Sequence, residues 1–445
     1  MSKKEIIKEL GDGLILRQAT RDDSQALADF NAKIHSDEGP DQPDERIGAW
    51  VSDLATKPHP SFDVSDFTIV EEVQSGKIVS SLNLISQTWR YEGIEFGVGR
   101  PELVGTEPDY RRRGLVRAQF ETIHQWSAER GHKVQAITGI PYYYRQFGYE
   151  MGLELGGGQI GYLPHIPKLK DDQEEKYIVR PAEESDIPFI IQLDEKRLER
   201  QLIGCVRDEA AWLYEMKGKS EDNINRVEIR IITTKDGEPI GCLNHSPFLW
   251  GPTLPFFLYE LVDGISWLDV THTVLRYAKA TGESYAAQDD DKEFQAFSMW
   301  MGSEHPVYDV IRDRLPRRRD PYAWFVRVAD LPGFLVHIQP VLEERLAQSR
   351  LVNHSGELKL CFFRTGIKFC FEDGKIESIE PYTPEGAEDG DALFPDLTFL
   401  RLLFGYNDFW ELESSFADCY ARNDHGRALT PILFPKKSSN VRGVT

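Results

Sequence analysis

The chain has 445 residues, 40 % hydrophobic and 28 % charged, the balance of a globular protein with apolar side chains enough for about two to four domain cores. The formal net charge is −21, which repels phosphate backbones, excludes nucleic acid as a general partner and suits a cationic small molecule better, although acidity also serves plain solubility. No stretch approaches the roughly 18 apolar residues of a membrane-spanning helix, and the charged residues 1–10 lack the apolar core of a secretion signal, so the expectation is a cytoplasmic protein without a membrane partner. Cys205, Cys242, Cys361, Cys370 and Cys419 contain no CxxC pair and are odd in number, so neither a disulfide framework nor a metal is expected.

In chain order, two segments open alike. Residues 14–23 and 177–186 each form a short apolar strand ending in Arg-x-Ala, Arg17 to Ala19 and Arg180 to Ala182, with an aspartate six residues after the arginine. Each runs into apolar residues at helical spacing: Leu27, Phe30 and Ile34 in the first, Ile187, Ile190, Ile191 and Leu193 in the second. Asp23 and Asp186 fall at or near helix N-termini, where carboxylates are favourable. Two such openings predict a duplicated domain. The charged run 168–176 reads as a linker, and the basic, proline-flanked stretch 315–321 as a second boundary. Beyond it the pattern predicts a helix over 338–351, strands over 358–363 and 367–371, a turn at Asp373-Gly374 into 375–379, and a helical tail over 397–420. The organisation predicted is three mixed domains over 1–170, 177–320 and 326–445.

The chemistry concentrates in residues 102–118. Pro108 ends a short strand, Gly114 lets the backbone approach a ligand, and Val116, Phe120 and Ile123 recur at helical spacing until Gly131 ends the helix after Arg130. Strand, basic loop and helix N-terminus together offer free N–H groups and the positive end of a helix dipole to a pyrophosphate. Arg111, Arg112 and Arg113 would add charge-assisted hydrogen bonds, although taken alone they read equally as a solvated basic patch. The next strand, 133–138, leads through Gly139-Ile140-Pro141, with Pro141 placed for a first helical turn, into Tyr142-Tyr143-Tyr144. Three adjacent tyrosines cannot all face one core, so at least one presents its hydroxyl elsewhere.

These residues resemble the GNAT superfamily of N-acetyltransferases. Its coenzyme loop, Arg/Gln-x-x-Gly-x-Gly/Ala, is matched by Arg111-Arg112-Arg113-Gly114-Leu115-Val116 except at the last position. The run Arg111 to Ala118, and Tyr144-Arg145-Gln146-Phe147-Gly148-Tyr149, are similar to motifs of the enhanced intracellular survival family of multi-acetylating aminoglycoside acetyltransferases. The resemblance implies an α/β fold: two tandem GNAT-like domains with mixed central sheets, the first catalytic and the second degenerate, then an α+β domain like sterol carrier protein 2. It implies acetyl-CoA as co-substrate, with Val104, Gly105 and Thr106 along the pantetheine and Arg111, Arg112, Arg113, Gly114, Leu115, Val116, Arg117, Gly139 and Ile140 around the coenzyme.

The resemblance further implies direct attack of a neutral primary amine on the thioester, with Tyr144 as general acid and a homo-oligomeric assembly. An unperturbed tyrosine, pKa about 10, can donate a proton at neutral pH. The base is open between the carboxylate of Thr445, by resemblance, and Glu102 on the coenzyme strand. The segment 35–46, with Asp37, Glu38, Asp41, Asp44 and Glu45, is expected to rim the acceptor pocket and to favour an aminoglycoside- or polyamine-like cation, or to be a solvated loop. In the second domain only Asp263-Gly264-Ile265 stands where the coenzyme loop would be, so no coenzyme is expected there. The alternatives are acetylation of protein lysines, or a non-catalytic lipid or ligand carrier using the last domain, whose Leu358, Leu360, Phe362, Phe369 and Phe371 would suit either a pocket or a plain core.

Overall fold

A computed structural model describes residues 5–140, 142–170, 172–288, 292–386, 389–395 and 397–445. In chain order the first unit runs β1 (Ile6–Gly11), β2 (Leu14–Gln18), α1 (Ser24–Ile34), α2 (Glu45–Thr56), β3 (Phe67–Glu72), β4 (Lys77–Tyr91), β5 (Ile94–Thr106), α3 (Leu115–Glu129), β6 (Val134–Ile137) and β7 (Glu150–Leu155). There follow β8 (Gly158–Tyr162), β9 (Tyr177–Pro181), α4 (Ile187–Glu199), β10 (Ile203–Cys205), α5 (Glu209–Leu213), β11 (Glu228–Thr234), β12 (Pro239–His245), β13 (Thr253–Leu261), α6 (Trp267–Ala286), β14 (Ala296–Met299), α7 (Pro306–Val310), β15 (Arg317–Arg319) and β16 (Tyr322–Arg327). The last unit holds α8 (Leu331–His337), α9 (Gln339–Ala347), β17 (Gly356–Cys361), β18 (Gly366–Glu372), β19 (Lys375–Tyr382), β20 (Ala392–Leu393), α10 (Phe399–Leu403), α11 (Phe409–Ser415), β21 (Tyr420–Ala421) and α12 (Asp424–Leu433).

The strands form three sheets, and the first two exchange strands. The first is ordered β1-β2-β3-β4-β5-β6-β16-β7, with β10 antiparallel to the far end of β4. The second is ordered β15-β8-β14-β13-β12-β11-β9. Thus β16, from after the basic stretch 315–321, sits between β6 and β7, while β8, from before the linker, sits beside β14. The third sheet is β19-β18-β17-β20-β21. Its β18–β19 turn is the expected Asp373-Gly374 pair, both left-handed at φ 46 and φ 79.

The repeated openings have one physical cause. Arg17 donates two hydrogen bonds to Asp23, at 2.8 and 2.6 Å, and Arg180 two to Asp186, at 2.7 and 2.8 Å. Each aspartate also accepts the backbone N–H three residues before it, from Thr20 and Glu183, holding the turn that launches α1 or α4. Arg17 is 1 % exposed and pairs with Glu71 as well, so the first copy of this clamp is a buried ion network.

Several expected elements differ in extent. The strand before Pro108 is not short: β5 runs 13 residues and is kinked by a bulge at Leu103, φ 55, where Ser81 faces Gly105 but Asn83 faces Glu102. The helix expected over 338–351 is α9 (Gln339–Ala347), which Pro340 enters at its first turn; a further helix, α8, precedes it and joins it at Ile338. The tail 397–420 is two short helices separated by a left-handed Gly405, φ 71, and α12 beyond it was not anticipated. No helix among the described residues is long and apolar enough to cross a membrane.

Candidate active site

β5 and β6 run parallel and pair only at Val98–Val134 and Gly99–Gln135. Past that point they diverge, and no β6 residue pairs with β5 from the bulge onward. The gap is a cavity of about 860 Å³. One wall is Glu102, Val104, Gly105 and Thr106; the other is Thr138, Gly139, Ile140 and Tyr144. The mouth carries Arg111, Arg112, Gly114, Leu115, Val116 and Arg117.

The basic loop is shaped for an anion. Arg112 (φ 64) and Gly114 (φ 76) are both left-handed, and Gly114 caps α3 with no side chain hydrogen-bonded to the helix's first N–H groups. A Cβ at Gly114 would meet nothing within 4 Å, so the glycine is required by its backbone conformation. Arg111 bonds the Thr106 carbonyl at 3.2 Å, and Arg117 bonds Gln146 at 3.1 Å. Arg113 differs from its expected place: it donates to the Asp109 carbonyl at 3.1 Å, lies over the Tyr110 ring and does not line the cavity. Unblocked N–H groups, arginines at the mouth and a cleft between splayed strands fit a pyrophosphate with an extended chain behind it.

Of the three tyrosines, Tyr142 is 78 % exposed, Tyr143 half-buried and Tyr144 6 % exposed. They lead into a short 3-10 turn, Tyr143–Phe147, rather than an α-helix; Pro141 lies outside the described residues. The Tyr144 ring packs against Phe120 and Phe325, at 6.0 and 5.8 Å between centroids, and its hydroxyl end reaches Gly139. Burial first, and then the nearby Glu102, push its phenol well above the ordinary tyrosine range, so it is a protonated donor at neutral pH. His35, unmarked in the sequence, lines the same cavity with Nε2 buried and unpartnered, and burial lowers its pKa.

A residue that the sequence reading missed ties Glu102 to the tail beside Thr445. Arg100 donates to Glu102 Oε1, at 3.0 and 2.5 Å, and to the Val444 carbonyl at 3.3 Å. Its alternation with Glu102 on one strand face was visible in the sequence; its contact with the tail was not. The tail is threaded between the first two units. Gln87 donates to the Val444 carbonyl at 2.7 Å, Trp324 to Val441 at 3.1 Å and Arg207 to Arg442 at 2.5 Å. Thr445 is 8 % exposed, with its hydroxyl 3.4 Å from Lys219 Nζ.

Thr445 lines a second cavity, of about 550 Å³, together with Arg100, Thr138, Tyr322 and four tryptophans. Thr138 lines both cavities and donates to Glu102 at 3.3 Å, while Tyr322 donates to the Gly139 carbonyl at 2.6 Å. The cavities therefore share a wall at Thr138, beside Glu102. Asp37, Glu38, Asp41 and Glu45 are exposed and Asp44 caps α2; none of them lines either cavity. In the second unit, Asp263 pairs with Lys196 at 2.5 Å ahead of α6.

Residues 16–152 match the family model described as an acetyltransferase (GNAT) domain. No curated protein matches the sequence significantly. Solved structures are similar over nearly the full length. A GCN5-related N-acetyltransferase from Kribbella flavida is 14 % identical with a TM-score of 0.63, covering 96 % of this chain and 97 % of that one. One from Anabaena variabilis is 13 % identical at 0.60, covering 97 % and 99 %. Eis1 from Mycobacterium abscessus is 12 % identical at 0.57, covering 97 % and 99 %. The chain thus carries an acetyltransferase domain of the GNAT type over residues 16–152, which makes it an acyltransferase enzyme, on an α/β fold that solved N-acetyltransferases share from end to end.

Proposed function

We propose that the protein transfers the acetyl group of acetyl-CoA to a primary amine of a small molecule by direct attack. The observation that carries this reading is the buried, protonated Tyr144 where β5 and β6 part, beside Glu102 and the Thr138 wall shared with the second cavity. The pyrophosphate is held at Arg111, Arg112, Gly114, Leu115, Val116 and Arg117, and the pantetheine runs between Val104–Thr106 and Gly139–Ile140. The amine enters from the second cavity and its nitrogen attacks the thioester carbon. The developing oxyanion meets the β5 backbone that β6 does not pair, the C–S bond breaks, and the Tyr144 phenol protonates the leaving thiolate. The proton lost by the amine goes to Glu102 or the Thr445 carboxylate, both linked to Arg100 through Glu102 Oε1 and the adjacent Val444 carbonyl.

The second unit, whose Asp263 stands opposite the place of the arginine loop, binds no coenzyme in this reading; a second acetyl-CoA per chain, counted by calorimetry, would contradict it. The likeness to the enhanced intracellular survival family extends the reading to a homo-oligomer, a cytoplasmic setting and a last unit like sterol carrier protein 2. A cationic acceptor, aminoglycoside- or polyamine-like, is the expectation from the acidic segment 35–46; since its carboxylates Asp37, Glu38, Asp41, Asp44 and Glu45 line neither cavity, the class of amine rests on the second cavity's walls. The lipid-carrier alternative is weakened because Leu358, Leu360, Phe369 and Phe371 pack into the main core. The test is thiol release from acetyl-CoA with a panel of amines and lysine peptides, with Tyr144→Phe alongside. Turnover that the variant does not reduce removes Tyr144 from the reaction, and failure to bind acetyl-CoA removes the reading.

A further inference from the structure

The second cavity carries more positive charge than its own carboxylates neutralise. Three of its cations are matched: Arg100 with Glu102 at 2.5 Å, Arg197 with Asp194 at 2.7 Å, and Lys219 with Glu215 at 2.7 Å. Its remaining side-chain carboxylate, Asp320, pairs with Arg318 at 3.3 Å. Three guanidinium groups are left over. Arg319 lies over the Trp300 ring at 3.9 Å and Arg442 over the Phe257 ring at 3.7 Å, neither with a carboxylate partner among the described residues. The Arg207 side chain is only 9 % exposed, stands 3.8 Å from the already engaged Asp194, and keeps Nε buried without a partner. Against these stands the terminal carboxylate of Thr445. Burial and the neighbouring Arg207 and Arg100 bring Arg442 down to about 10, against the raising effect of Glu215.

The rest of the wall is aromatic. Trp212, Trp250, Trp300 and Trp324 line the cavity, with Trp250 and Trp300 edge to face at 5.0 Å between centroids. Trp212 and Trp300 have indole N–H groups that are buried and unpartnered. Such walls take a flat or apolar body, and the spare guanidinium groups and indole donors take an anion. A polycation would meet unneutralised arginines in this cavity.

We infer that the acceptor is an amphoteric amine: a molecule with an apolar or aromatic body and an anionic group, carboxylate or phosphate, held by Arg319, Arg442 and Arg207 while its amine reaches Glu102. This rests on the transferase reading above and names its substrate class. A charge-assisted hydrogen bond that only one member of a matched pair can make is worth about tenfold in specificity.

The experiment measures kcat/KM for thiol release from acetyl-CoA with the full chain and matched amines: phenylalanine against phenethylamine, phosphoethanolamine against ethanolamine, and spermidine. The expected result is a preference of about tenfold or more for the anionic member of at least one pair, the favoured pair telling carboxylate from phosphate, and collapse of that ratio towards one in Arg319→Gln. Arg442→Gln serves as a second variant, and the wild-type ratio stands without either. Equal turnover within both pairs, or preference for spermidine, overturns the inference while leaving the transferase reading intact. Acetyl-CoA binding without thiol release to any amine overturns both.

Discussion

Replacing Gly139 by alanine should uncouple Tyr144 from the reaction without emptying the coenzyme cavity. Gly139 sits at φ +156, and a Cβ built there would lie 2.4 Å from Tyr144 Cε2 and 2.8 Å from its hydroxyl. Moving Cε2 from 2.4 Å to the 3.4 Å at which ordinary contact begins takes about 1.0 Å. The ring cannot simply swing away, because Phe120, Tyr149 and Phe325 hold its other sides. Catalytic groups tolerate about 0.5 Å of displacement, and about 1 Å costs on the order of a hundredfold. The expected fall in kcat is therefore about 100-fold, or about 2.7 kcal/mol in the barrier. The assay is steady-state thiol release at saturating amine, with the KM for acetyl-CoA and the melting temperature measured on the same preparation. A folded variant with kcat within about twofold of wild type would show that the Tyr144 hydroxyl does not act from the position seen here.

Tyr144→Phe should lower kcat by about 10²- to 10⁴-fold with little change in the KM for acetyl-CoA, as loss of a general acid does. Because the folded pKa of Tyr144 is raised, the wild-type rate should show no alkaline limb from this group up to the ordinary tyrosine range near 10; a limb that starts below it and vanishes in the phenylalanine variant would contradict the burial argument. Removing Gly443, Val444 and Thr445 takes away the carbonyl that Gln87 and Arg100 bond and the buried Val444 side chain, and should cost about 2–4 kcal/mol of stability. If kcat is also unchanged, the terminus is not the base and Glu102 is. Arg17→Met should destabilise by about 3–5 kcal/mol, because it leaves Asp23 buried without its cation, whereas Arg180→Met in the half-exposed second copy should cost about 1 kcal/mol or less. The Asp23 pKa is lowered on folding, so its stabilisation is present above the unfolded value near 4 and is lost as pH falls through the folded value. Wild type should therefore lose stability in acid faster than Arg17→Met, and parallel chemical denaturation curves at pH 6 and pH 3 would refute this.

What the sequence by itself determined is what short stretches of chain settle among themselves. The clamps Arg17–Asp23 and Arg180–Asp186 span six residues, so their repetition was legible as a repeated opening. The same holds for the Asp373-Gly374 turn and for the loop where Arg112 and Gly114 turn left-handed into α3. The tyrosine cluster was legible as a conflict, three large rings for one core, but not its resolution, since Tyr144 is selected by Phe120 and Phe325 from elsewhere in the chain. Only the tertiary structure decided the rest. β16 enters the first sheet and β8 the second because ladder hydrogen bonds are indifferent to where a partner lies in sequence. The segment 35–46 read as a substrate rim for its charge, but its carboxylates line neither cavity and only His35 reaches one, whereas the tail, with no apolar periodicity, is buried by contacts with Gln87, Arg100, Trp324 and Lys219. The second cavity is assembled from both units and the tail. Its excess of arginine over carboxylate is a property of that assembly, in a chain whose net charge of −21 points the other way.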